Sequence, residues 1–205
     1  MAAIGVSRRA RAASKAISTN SITNNRLADQ RYLIFGGGSA GMGIAVQLRD
    51  AMMAADGVSR TEANGRFWIV DREGLLVHPE QEDEAQVDRS DGRREFWRPA
   101  GDSKSLTGGT VKDLTSIVKH AKPTVMIGCS TAAGAFTESA IKAMVAGLDA
   151  DEETKGTKPI ILPLSNPSRL VEAEPSDLME WTDGRALVAT GSPFGTVEKG
   201  GIGFE

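Results

Sequence analysis

Residues 31–43 read RYLIFGGGSAGMG. Arg31–Phe35 is the near-continuous apolar run of a strand covered on both faces. Three glycines follow at once. Ile44–Ala55 then takes up helical spacing, with Ile44, Leu48, Met52 and Ala55 on one face. Gly36, Gly38 and Gly41 satisfy G-x-G-x-x-G between that strand and that helix. In such a turn the first glycine allows the sharp bend and the second lets a phosphate approach the backbone. The third lets the helix pack on the strand. The helix N-terminus adds free N–H groups and the positive end of its dipole. Ser39 is placed for a phosphate contact or a helix cap.

Working outward, the same alternation repeats. Phe67–Val70 reads as a second strand ending at Asp71, and Val111–His120 as a helix with Val111, Leu114 and Val118 apolar. Thr124–Ile127 is a third strand. Thr137 is placed to cap a helix over Glu138–Ala146, and Gly147 to stop it. Ile160–Leu164 is a fourth strand, Asp177–Trp181 a short helix and Ala186–Ala189 a fifth strand. Strands alternating with helices pair in parallel through crossovers. The predicted fold is therefore α/β, a doubly wound parallel sheet of Rossmann-like type over residues 29–196. Residues 72–110 interrupt it as a polar surface loop. Glu80, Glu82, Asp83 and Glu84 cluster there, and Phe96 and Trp97 are expected to pin one end to the core. Residues 1–28 form a basic extension with no acid before Asp29, and residues 197–205 a glycine-rich tail. The basic start has the composition of a mitochondrial presequence and equally of a solvated arm. Mitochondrial and cytoplasmic placement both stay open.

The whole chain has 205 residues, 40% apolar and 25% charged, which suits one packed core and excludes a disordered or collagen-like chain. No apolar run reaches 18 residues, so no membrane-spanning helix is expected. A net charge of -3 gives no overall reason to expect nucleic-acid binding. One cysteine, Cys129, excludes an internal disulfide and a multi-cysteine zinc site. Two histidines, His78 and His120, leave little material for histidine chemistry.

The strand ends carry the candidate site. Asp71 sits where a carboxylate accepts the ribose hydroxyls of NAD and repels a 2′-phosphate. It lies 30 residues after Gly41, against about 20 in the usual fingerprint. A lengthened helix and a turn at Asn64-Gly65 account for the excess. Arg72 offers a guanidinium to a 2′-phosphate, so NAD and NADP both remain open. Gly128 and Cys129 leave room after the third strand for ribose or nicotinamide. Asn166, after the fourth strand, can hold a substrate carboxylate or hydroxyl, or form a turn before Pro167. A rival motif overlaps the glycines: Gly37-Gly38-Ser39-Ala40-Gly41 is G-x-S-x-G, the nucleophile elbow of serine hydrolases. It lacks a late histidine to serve Ser39.

Taken together, RYLIFGGGSAGMGIA, FWIVDREGLL, KPTVMIGCSTAAGAFTESAIKAM, KPIILPLSNPS and GRALVATGSPFG resemble the NAD-binding domain of malic enzymes, over about residues 27–196. The resemblance implies oxidative decarboxylation of L-malate to pyruvate and CO₂ with NAD or NADP and Mg²⁺ or Mn²⁺. Under it Gly36, Gly38, Ser39, Ala40 and Gly41 match the phosphate loop, Asp71 the strand-end acid and Asn166 a malate contact. The family's tyrosine, lysine and metal carboxylates come from an upstream domain. Tyr32 lies inside the first strand and does not replace that tyrosine. No metal ligand and little malate oxidation are expected from this chain by itself. L-malate is expected to be used only with a complementary catalytic domain, within a homo-oligomer or beside a full-length malic enzyme subunit. A non-catalytic or fragmentary interaction module is the alternative, and the Ser39 hydrolase a lesser one.

Overall fold

The computed structural model describes residues 26–78, 92–104, 113–195, 197–199 and 202–204. Most of the basic extension, the Glu80–Glu84 acidic cluster and Val111 lie outside the described residues. A six-stranded sheet forms the centre. Its strands are β1 (Tyr32–Phe35), β2 (Phe67–Asp71), β3 (Gly74–Leu75), β4 (Val125–Gly128), β5 (Ile160–Pro163) and β6 (Leu187–Val188), in the order β3-β2-β1-β4-β5-β6. Every neighbouring pair is parallel except β2 with β3. Parallel pairing needs a crossover of a dozen or more residues, and only Arg72 and Glu73 separate these two. They close an antiparallel hairpin instead, so the interrupting segment begins with an edge strand rather than a loop.

Helices α1 (Ser39–Asp56) and α2 (Arg60–Asn64) join β1 to β2. Further along come α3 (Ala100–Lys104), α4 (Leu114–Ala121), α5 (Glu138–Asp149) and α6 (Pro175–Trp181). Alternate strand residues face opposite sides of a sheet. Ile34, Ile69, Ile127 and Leu162 accordingly pack with Ile44, Leu48 and Met52 of α1. Leu33, Met126 and Ile161 pack with Ile117, Val118, Ile141 and Met144 of α4 and α5. Two buried faces make the sheet doubly wound. The expected stripe of α1 stops at Met52, because Ala55 is exposed. By angle Ala55 is still on the stripe, about 20° from Ile44 and from Leu48, and it is exposed in the last turn of the helix, which ends at Asp56. Phe96 is pinned as expected: it is fully buried and meets Phe67 edge-on at 5.3 Å. Arg49 adds to this anchor, lying over the Phe96 ring and pairing with Glu95 at 3.0 Å.

Local signals set the helix ends. Thr137 caps α5 by accepting from Ala140 N, and Asp113 caps α4 by accepting from Thr115 N and Ser116 N. Gly147 does not stop α5, which continues to Asp149. A Cβ at Gly147 would stand 3.4 Å from Lys122 Cγ, an ordinary van der Waals contact with the residue that ends α4. In the tail, β7 (Val197–Lys199) pairs antiparallel with β8 (Ile202–Phe204).

Ile44→Ala is expected to cost about 2–5 kcal/mol through the cavity it leaves, and Thr137→Ala about 1 kcal/mol through the lost cap; urea unfolding measures both. The guanidinium of Arg185 donates twice to Asp149 at 2.8 Å, joining α5 to the approach of β6. That hydrogen bonding holds the Asp149 carboxyl below its ordinary value. Its contribution is present above the unfolded-state value of about 4 and disappears as pH falls through the lower folded-state value. Asp149→Asn is therefore expected to flatten the acid limb of a stability–pH profile.

Candidate functional site

The site lies where the strand order reverses. β1 continues through α1 to β2 on one side, and β4 flanks it on the other. Helices leaving such neighbours go to opposite faces, which opens a crevice at the carboxyl ends. The cleft here is about 470 Å³. Phe35, Gly36 and Gly38 line it from β1 and its turn. Val70, Asp71 and Arg72 line it from β2, and Cys129, Ser130, Thr131 and Ala132 from the β4 loop.

The glycines have three different reasons. Gly36 has φ +116°, and a Cβ there would lie 2.6 Å from Cys129 C and 2.8 Å from Ser130 N. At Gly41 a Cβ would lie 2.0 Å from Gly36 O, so this glycine lets α1 start against the turn. Gly38 has nothing within 4 Å of its Cβ position. It borders the cleft, and the open space beside it is where a phosphate can approach the chain. Gly38 is also the residue that precedes α1, and its carbonyl accepts the first helical bond, from Met42 N at 2.9 Å. The N–H groups of Ser39, Ala40 and Gly41 precede that bond and have no partner within the helix. The start of α1, with its three free donors and the positive end of its dipole, thus adjoins the Gly38 edge of the cleft. Ser39 is the first residue of α1 and does not cap it.

Asp71 reaches the cleft from β2. One carboxylate oxygen accepts from Arg72 N at 2.9 Å, and the other faces an Arg93 nitrogen at 3.4 Å. The acid therefore closes its own turn as well as facing the cleft. Arg93 carried no sequence signal, because it arrives from a stretch read as a surface loop. Cys129 lines the cleft, but Gly128 does not. Gly128 is buried, and the space of its missing Cβ is filled by the carboxyl group of Glu172, 2.4 Å away. Asn166 is exposed on the loop after β5, outside the cleft lining. Its Nδ2 donates to Gly191 O at 3.2 Å, and its Oδ1 accepts from Ser192 Oγ. These side-chain bonds tie the β5 loop to the β6 loop, while the backbone bends at Asn166 and Pro167. One amide hydrogen of Asn166 remains to be offered outward.

Tyr32 is fully buried, stacks on Phe67 and donates to Leu27 O at 2.9 Å. Burial, with a smaller contribution from Asp56, pushes its phenol far above the ordinary range. It is not an acid–base group. The hydrolase reading finds no support. His78 packs against Trp97, and His120 lies 3.7 Å from Asp102. Neither lines the cleft beside Ser39. Among the described residues no three His, Cys, Asp or Glu side chains are grouped to hold a metal ion, and no helix is long and apolar enough to cross a membrane.

A Gly36→Ala substitution is expected to lower the urea midpoint sharply, because a backbone must move. Gly38→Ala is expected to cost no more than about 1 kcal/mol of folding stability, the difference between glycine and alanine at a helix cap.

The family model "Malic enzyme, NAD binding domain" matches residues 10–205. NAD-dependent malic enzyme 3 of Bacillus subtilis is 44% identical over 182 residues, which are 87% of this chain and 29% of that protein. The malolactic enzyme of Lactiplantibacillus plantarum is 44% identical over 184 residues, 90% of this chain and 30% of that protein. The crystal structure of Entamoeba histolytica malic enzyme matches with a TM-score of 0.59 at 18% identity, over 94% of this chain and 32% of its own. At that identity the structure speaks for the fold alone. The chain spans less than a third of the length of each of these proteins.

Proposed function

This chain belongs to the malic enzyme NAD-binding domain family, and on that premise we propose that it carries the dinucleotide half of an L-malate oxidation. The observation that carries this reading is the open cradle at Gly38. No protein atom needs a glycine there, whereas a bound pyrophosphate does.

The pyrophosphate would take hydrogen bonds from the Ser39, Ala40 and Gly41 N–H groups, with Gly36 providing the bend that aims them. Asp71 would accept the adenosine ribose hydroxyls. Its negative charge favours NAD over NADP, while Arg72 and the neighbouring Arg93 soften that preference. Cys129 to Ala132 form the opposite wall. When bound, NAD supplies the hydride acceptor. Asn166, one strand further along the sheet, would offer its remaining amide hydrogen to a malate oxygen.

Hydride transfer from malate also needs a base for the hydroxyl proton and a cation for the developing negative charge. The described residues hold no group of three His, Cys, Asp or Glu side chains that would bind such a cation. Malate turnover would need this domain and those groups together in one assembly.

Titration of NADH and NADPH by ligand fluorescence tests the cofactor reading. Saturable NADH binding is expected, weakened at least about tenfold, or about 1.4 kcal/mol, by Gly38→Ala without loss of fold. Folded protein that shows no saturable binding overturns the reading. Asp71→Asn is expected to narrow the gap between NADH and NADPH affinities in the same titration. With malate, NAD and Mn²⁺, the chain alone is expected to give no turnover at ordinary enzyme rates.

A further inference from the structure

Glu172 belongs to no motif, yet it is the one charged side chain with no exposed surface among the described residues. It lies between β5 and α6, beneath the ends of β4 and β5. Its Oε1 accepts from Ser130 N at 2.9 Å, Ser130 Oγ at 3.0 Å and Ser165 Oγ at 2.5 Å. Its Oε2 faces Ser165 N at 3.4 Å. A buried charge is costly unless such donors surround it.

The direction of these bonds follows from counting protons. Ser130 Oγ accepts from Ala132 N at 3.1 Å, and Ser165 Oγ accepts from Thr131 N at 2.9 Å. A backbone N–H can only donate, so each hydroxyl keeps its single proton for the carboxylate. Two relays result, each running from a cleft-wall N–H through a serine to Glu172. A backbone bond also ties the loop after β4 to this segment, since Phe136 N donates to Glu172 O at 2.9 Å. One buried acceptor thereby holds the wall at Thr131 and Ala132. Through Ser165 it also holds the turn that presents Asn166.

We propose that Glu172 is a positioning residue for the dinucleotide site, setting the β4 wall and the Asn166 turn at one fixed separation without touching either ligand. The proposal rests on the cofactor reading above. It also explains why a glycine stands at 128, where any Cβ would displace the carboxylate.

Two variants test it in the full chain, Glu172→Gln and Ser165→Ala. Gln keeps the size but brings an amide donor against a ring of donors, and Ala breaks one relay while leaving Glu172 in place. Neither position lines the cleft. In folded variants at 25 °C, NADH affinity is expected to fall about tenfold through wall misplacement. The backbone amide resonances of Thr131, Ala132 and Asn166 are expected to shift, while Gly57 at the far end of α1 keeps its own. A purely structural role would lower the thermal midpoint and leave the affinity of the folded protein alone, and that result overturns the proposal. If Glu172→Gln does not fold, Ser165→Ala decides by the same criteria. If the native chain itself fails to bind NADH, the cofactor reading falls. Glu172 is then judged on the amide shifts alone, and unshifted Thr131, Ala132 and Asn166 overturn it.

Discussion

The backbone leaving β1 passes so close to the backbone leaving β4 that a single added carbon at Gly36 would stand 2.6 Å from a carbonyl carbon of Cys129. Gly36 N also donates to Val70 O, and Cys129 N to Phe35 O. Parallel pairing therefore continues to the point where the chains diverge. Beyond it, α1 goes to one face and the β4 loop to the other. The cleft is the space this divergence leaves. Its depth depends on how late the strands part, and the glycine allows them to part late.

From that approach follow the other features of the site. Gly41 lets α1 begin immediately after the turn, so the helix starts beside Gly38 at the edge of the cleft. Asp71 comes to the opposite edge because β2 pairs with β1 residue for residue, with Phe35 opposite Val70. The anchor formed by Arg49, Glu95 and Phe96 brings the distant segment back against α1 and leaves Arg93 beside Asp71. Glu172 performs the equivalent task on the other wall. Backbone fit sets the phosphate end, and a polar network sets the rest.

Much of this was legible in the residues. RYLIF, FWIV, TVMI and IILPL are strands because buried parallel strands are apolar on both faces. The caps at Thr137 and the spacing of Ile44, Leu48 and Met52 act within a few residues and read directly. Failures came where the deciding partner was distant. Gly147 has the composition of a helix stop, but its surroundings are Lys122 and the end of α4. Gly128 seemed to make room for a ligand and in fact makes room for Glu172. Asn166 was open to a substrate contact or a local turn, and its side chain bonds to Gly191 and Ser192, 25 and 26 residues on.

The order of apolar runs, glycines and caps was enough to give a doubly wound sheet with a glycine-rich strand-to-helix turn at its first crossover. Those features depend on local geometry: side-chain periodicity, the φ a glycine allows and the donors at a helix start. The packed chain alone settles which glycine borders the open cleft, which faces backbone and which faces a buried acid. It also placed Arg93 at Asp71 and revealed Glu172 at all. A buried carboxylate is stable only where several donors converge, and these come from Ser130 and Ser165, which lie 42 and 7 residues away in the chain. No local pattern encodes that convergence, because it exists only once β4 and β5 lie side by side.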